Sequence, residues 1–184
     1  MLLPISILGS PVLRKKAEEI DENYQGLNEL IENMFQTMYH ADGVGLAAPQ
    51  VGLSISLFVV DATPAAEDEP SLEGFKKVFI NPRIIETSDK KVSMNEGCLS
   101  IPGINEDVSR PESVTIEYYD ENWELREDTF TGFAARVVQH EYDHLLGNVF
   151  VDKISIIRKK LIKLKLGNIT KGKFRCNYRF KLAK

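Results

Sequence analysis

Leu27, Leu30, Ile31, Met34, Phe35 and Met38 recur at three- and four-residue spacing, which predicts an amphipathic helix over roughly 22–40, ended by Asp42-Gly43. Helical periodicity returns at 134–146, with Asp128, Thr129 and Thr131 as available caps and Gly147 where a left-handed residue would close the helix. A third helix is predicted at roughly 155–166. There Ile154, Ile157, Leu161 and Leu164 stand against lysines, ahead of Gly167-Asn168 and a short strand near 173–180. Between the first two helices the pattern turns to β. Runs 55–60 and 78–85 flank an acidic, proline-containing stretch, 61–73, that reads as an exposed loop, and 114–119 with 124–130 alternate around Asp120-Glu121-Asn122 as a hairpin. Segment 43–50 cannot continue a helix, because Pro49 holds Ala48 extended and its glycines permit close backbone approach, so a loop or edge strand lining a cleft is expected. Strands gathered between helices predict an α+β fold, with antiparallel strands around the second helix, an amphipathic helix before them and a helix plus short strand after.

With 184 residues, 43% of them hydrophobic, the chain can bury one core, and no composition break divides it, so a single domain over 1–184 is expected. Residues 1–8 are apolar but few, carry Pro4 and lack a basic leader, which predicts a cytoplasmic protein with neither signal peptide nor membrane span. Cys98 and Cys176 alone do not make a secreted disulfide framework, and Cys176, like His40, reads as structural or exposed. The net charge of −4 is polarised: from Lys153 onward stand 12 of the 23 basic residues and none of the 27 acids. An acidic body with a basic tail points to an anionic partner such as RNA, or to a merely solvated tail face. Neither DNA nor a membrane is expected as a partner.

Chemistry concentrates in His140-Glu141-Tyr142-Asp143-His144. Two imidazoles four residues apart share a helix face and can chelate a cation, while Glu141, about 100° round the helix, can address a water without becoming a ligand. A catalytic site wants three protein ligands and one open position. Cys98, in Glu96-Gly97-Cys98-Leu99-Ser100, is the best third ligand; Gly97 lets its backbone approach another element, and Pro102-Gly103 marks a turn just beyond. His40 remains an alternative. A distal acid of the thermolysin kind is disfavoured, because only Asp143 and Asp152 follow Glu141.

The segments Gly43-Val44-Gly45-Leu46-Ala47-Ala48-Pro49-Gln50, Glu96-Gly97-Cys98-Leu99-Ser100 and Gln139-His140-Glu141-Tyr142-Asp143-His144 resemble, in order and spacing, the three signature motifs of peptide deformylases. That resemblance implies removal of the formyl group from the N-terminal formylmethionine of newly made bacterial or organellar polypeptides. It implies Cys98, His140 and His144 as metal ligands and Glu141 as general acid/base. It further implies Gln50 and the Leu99 N–H as oxyanion donors and Gly45 as a backbone contact to substrate. The metal implied is iron(II), with zinc, nickel or cobalt able to occupy the site. Arg136 stands where other members carry an apolar residue, and the basic end closes in a strand where many bacterial members close in a helix.

Elementary chemistry is compatible with these roles. A thiolate cancels one metal charge, so water in such a site is harder to ionise and a strong neighbouring base is needed. A formyl carbon bears hydrogen where a peptide carbonyl bears a whole Cα, so a tight oxyanion pocket admits one and excludes the other. Methionine would enter an apolar pocket, for which Val44, Ile101, Phe133 and Val137 are expected, unless these are plain core. Glu96 or Asp143 is expected to orient a histidine, with Arg110 or Arg136 neutralising a carboxylate and Asp143 alternatively a surface acid. Competing readings are a metallopeptidase cleaving internal peptide bonds and a ribosome-bound module holding a structural metal. Ribosome contact would run through 153–184.

Overall fold

Alternation along a strand sends successive side chains to opposite faces, so a strand buried at every position must be covered twice. The computed structural model describes residues 1–183. In chain order they form β1 (Ile5–Ser6), α1 (Leu27–His40), β2 (Gly45–Ala47), β3 (Leu57–Asp61), β4 (Lys76–Thr87), β5 (Lys91–Cys98), β6 (Ile101–Pro111), β7 (Ser113–Tyr119), β8 (Leu125–Thr131), α2 (Gly132–Leu145), α3 (Ile156–Thr170) and β9 (Phe180–Lys181). The result is a mixed α/β fold of three helices and antiparallel sheets. A five-stranded antiparallel sheet runs β2-β3-β4-β7-β8, β5 and β6 form a separate hairpin, and β1 pairs in parallel with β9. None of the described helices is long and apolar enough to cross a membrane.

All five residues of β3 are buried. Leu57 and Val59 pack with Ile31, Met34, Phe35 and Met38 of α1, while Phe58 and Val60 pack with Ala135, Val137 and Val138 of α2. Phe58 stacks on Phe79 of β4, ring centroids 4.5 Å apart, and Tyr118 of β7 adds to that layer at 4.3 Å from Phe79. Burying each such side chain stabilises the fold by about 1.5–3 kcal/mol. A third cluster joins Ile101, Ile104 and Val108 of β6 to Val149, Phe150, Ile154, Ile162 and Ile169. Helix α2 lies between the sheet and the β5–β6 hairpin, and 11 of its 14 residues are buried.

Several sequence expectations are corrected. Helix α1 begins five residues later than predicted, because Gly26 takes φ +74° and breaks the run before Leu27. Residues 61–73 are not a plain loop: they make two 3-10 turns, and buried Leu72 packs into the sheet core. Pro102-Gly103 does not end its segment. The chain reverses at Leu99-Ser100, and 102–104 bulge within β6, where pairing jumps from Gly97–Asn105 to Cys98–Ile101 and Gly103 takes φ +75°. Asp128 and Thr129 lie within β8 rather than capping α2; Thr131 is at the N-cap without a side-chain bond. Helix α3 continues through Gly167-Asn168 to Thr170. Its expected apolar face is mostly outside, with Ile157 72%, Leu161 66% and Leu164 78% exposed, because Ile162 and Ile169 occupy the buried face instead. The terminal strand shrinks to two residues.

Candidate metal centre

The end of β5 carries Cys98 to the face of α2 that presents His140 and His144, and one ligand atom from each of the three lies within 4.8 Å of the others. Cys98 Sγ stands 3.4 Å from His144 Nε2. Sulfur and nitrogen ligands around one tetrahedral ion stand roughly 3.5 Å apart, so this spacing suits a shared cation. One sulfur and two imidazoles form a donor set for iron(II), zinc, nickel or cobalt. Burial pushes the His144 imidazole well below its ordinary value, aided by His140 and Arg110, which keeps it neutral as ligation requires. Burial opposes charge on His140 too, but bonds to Cys98 and Glu96 outweigh it and raise the imidazole. Neighbours that favour positive charge at that point favour a cation there equally.

His140 Nδ1 lies 2.8 Å from Glu96 Oε1, which leaves Nε2 for the cluster. Glu96 is itself gripped by a fork from Arg110, Nε to Oε2 at 2.7 Å and Nη2 to Oε1 at 2.9 Å, and by Arg136 Nη1 at 2.7 Å. Arg110 Nη1 reaches Asp143 Oδ2 at 2.7 Å, so Asp143 is a buried partner rather than a surface acid. Arg136 also donates to the carbonyls of Val108 and Val92, 2.7 Å each, tying α2 to both strands of the hairpin. Burial works against charge on Glu96, yet the bonds from His140 and Arg110 hold its carboxyl well below the usual range.

Glu141 belongs to the same helix turn. Its Oε2 is buried with no hydrogen-bond partner among the described residues, an oxygen that a bound water or substrate would satisfy, and His144 Nδ1, on the side of the ring away from Cys98, is likewise buried without one. Burial raises the Glu141 carboxyl to about 7, with Glu96 and Asp143 adding to the rise and His140 and Arg110 opposing it. A Cβ on Gly45 would fall 2.5 Å from Glu141 Oε1, so only glycine lets edge strand β2 come this close to the carboxylate. Gln50 Oε1 accepts from the Ala47 N–H at 2.8 Å. Its Nε2 therefore turns toward Ser100 Oγ at 3.2 Å and Cys98 Sγ at 3.5 Å.

A cavity of about 480 Å³ opens over this group. Val44, Gly45, Gln50, Cys98, Leu99, Ile101, Phe133, Val137, His140 and Glu141 all line it, so the expected site residues are gathered there apart from His144, which lies buried behind. His40 is exposed at the end of α1 and outside the cluster. Cys176, expected to be structural or exposed, is half-buried and lines the cavity with Arg175, Asn177 and Tyr178 of the returning C-terminal segment. Nothing local in that segment signals it, since its place depends on the pairing of β9 with β1.

The polypeptide deformylase family model matches residues 2–160. Peptide deformylase of Christiangramia forsetii is 54% identical, covering 98% of this chain and 96% of its own length; that of Flavobacterium psychrophilum is 52% identical, covering 100% and 98%. Among solved structures, peptide deformylase from Thermotoga maritima superposes with TM-score 0.76 at 40% identity over 84% of this chain and 99% of that one. The Plasmodium falciparum enzyme gives TM-score 0.82 at 38% identity over 91% and 95%. With motifs, fold and full-length similarity in agreement, this chain belongs to the polypeptide deformylase family, metal-dependent hydrolases that remove the formyl group from the N-terminal methionine of new polypeptides.

Proposed function

We propose that Cys98, His140 and His144 hold one divalent cation, iron(II) in the cell with zinc, nickel or cobalt able to replace it, and that the chain acts as one catalytic domain over 1–184. What carries this reading is the convergence of one sulfur and two imidazoles beside a buried carboxylate at the cavity wall. Held by these three residues, the cation would supply Lewis acidity for hydrolysis of the formyl group.

Glu141 takes a proton from the attacking water and delivers it to the departing amine, a relay that typically contributes ~10²–10⁴-fold. Gln50 Nε2, already aimed toward Cys98 by the Ala47 bond, and the Leu99 N–H donate to the oxyanion as it forms. Fixed donors of this kind are each worth roughly 3–4 kcal/mol. Strand β2 is an edge, so Val44 and Gly45 can align an extended substrate beside Glu141. Val44, Ile101, Phe133 and Val137 receive the methionine side chain. The pocket's selectivity rests on the small formyl hydrogen, and similarity to deformylases along the whole chain leaves the internal-peptidase reading without support.

Cytoplasmic action on nascent chains follows from the family's reaction. Contact with the ribosome through 153–184 would use the lysines and arginines of α3 and the tail. Anaerobically prepared protein should release formate from formyl-Met-Ala-Ser, and Glu141→Ala should lose at least ~10²-fold in kcat while keeping its cation. Turnover indifferent to Glu141→Ala contradicts the proposal.

A further inference from the structure

The family match ends at Lys160, yet the chain beyond α3 turns back into the site. Its anchor is the β1–β9 pair, in which the N–H groups of Ile5 and Ile7 donate to the carbonyls of Arg179 and Lys181 at 2.8 and 2.9 Å. That pairing delivers Tyr178 to the turn after Cys98, where its hydroxyl donates to the Leu99 carbonyl at 2.7 Å. One residue on, the Ser100 carbonyl accepts from the Leu8 N–H at 2.9 Å, and Ser100 Oγ accepts from Gln50 Nε2 at 3.2 Å. The Leu99 side chain is confined as well, because even a Cβ on Gly43 would stand only 2.9 Å from Leu99 Cδ1. The two chain ends, paired to each other, thus close a ring of hydrogen bonds around the reversal at Leu99-Ser100.

We infer that Tyr178 is a positioning residue for the reaction: its hydroxyl, held by the β1–β9 pair, fixes the Leu99 backbone so that the Leu99 N–H faces the developing oxyanion. This rests on the role proposed above for that N–H. The N–H of Leu99 belongs to the peptide plane before its Cα and the carbonyl to the plane after it, so a clamp on the carbonyl limits rotation of the donor. Preorganised donors stabilise the transition state more than the bound substrate. Loss of the clamp therefore lowers kcat and spares KM, whereas a tyrosine serving only as groove wall would change KM.

The test is Tyr178→Phe, which removes one oxygen and keeps the ring. Expected are a kcat for formyl-Met-Ala-Ser lower by about tenfold and a KM within about twofold of the parent protein. Metal content and thermal midpoint should be unchanged, and amide hydrogen exchange at Leu99 and Ser100 should be faster. Both the kcat change and the exchange change are required. Parent-like kcat, parent-like exchange at these amides, or an effect confined to KM each overturn the inference. Absence of formate release by the parent protein would instead sink the underlying functional reading, while the exchange arm still reports whether Tyr178 tethers the turn.

Discussion

The two sides of α2 are held by opposite chemistry. Toward the sheet, Ala134, Ala135, Val137, Val138 and Leu145 pack on Phe58, Val60 and Phe79, a contact without directional demands. Toward the β5–β6 hairpin, Arg136 and His140 meet Glu96, and Asp143 meets Arg110, through short polar bonds, with both arginines only 3% exposed. Burying four charges gains little net stability over apolar packing. It does fix a ring nitrogen to within a hydrogen bond, which apolar contact cannot do. The sheet side therefore supplies stability and the hairpin side supplies aim.

The largest test of this division is Glu96→Ala. It removes the carboxylate shared by two buried guanidiniums, leaving Arg110 with Asp143 and Arg136 with backbone carbonyls alone, and should cost about 3 kcal/mol in urea unfolding. Released from its carboxylate, His140 should also bind cation roughly 10–100-fold more weakly, read by competition with a chelator. Gly45→Ala comes next, since its Cβ would press on Glu141 Oε1. It should lower kcat by about 10²-fold with little change in the unfolding midpoint, because it displaces a reacting group and opens no cavity. On the apolar side, Val138→Ala should cost about 2 kcal/mol yet leave metal affinity and kcat per folded molecule as they were. A matching loss of metal affinity there would erase the distinction between the two sides.

The smallest effect lies away from the site, at Asp152. Burial opposes its charge, but the Arg14 side chain and the Val149 N–H hold the carboxyl below its ordinary value. A depressed folded-state value stabilises the protein above the unfolded carboxylate pKa of about 4, and that stabilisation is lost as pH falls through the depressed value. Asp152→Asn should therefore destabilise at pH 7, and the difference from the parent should shrink progressively as pH falls below about 4. The side chain is 37% exposed, so solvent screening holds the difference to at most about 1 kcal/mol.

Helix α1 and strand β7 were legible because their buried positions are apolar at the period of the element, as Ile31, Met34, Phe35 and Met38 illustrate, β3 and β4 because they are continuous β-rich runs, and β8 because a turn signal at Asp120-Glu121-Asn122 sets it against β7. The β5–β6 hairpin was not. Along β6 the inward positions are Ile104, Glu106, Val108 and Arg110, so the two-residue period is present but charged residues occupy half of it. Those charges are buried because Arg158 grips Glu106 and Glu96 grips Arg110, pairings between distant segments that no local pattern reveals. In α3, Leu161 and Leu164 mimic an apolar face that the tertiary contacts leave outside. Around the metal centre the spacing of His140, Glu141 and His144 was legible from helix geometry alone. Cys98 needed its motif context, and Tyr178 and Cys176 had no signal, since only the pairing of the two chain ends brings them to the cavity.

Aim of this kind matters only if Cys98, His140 and His144 share one cation. Loading the protein with cobalt(II) and recording its near-ultraviolet sulfur-to-metal absorption tests it directly. One such band at one cobalt per chain, lost in Cys98→Ser, is expected. A band that survives Cys98→Ser, or full loading without any band, would contradict it.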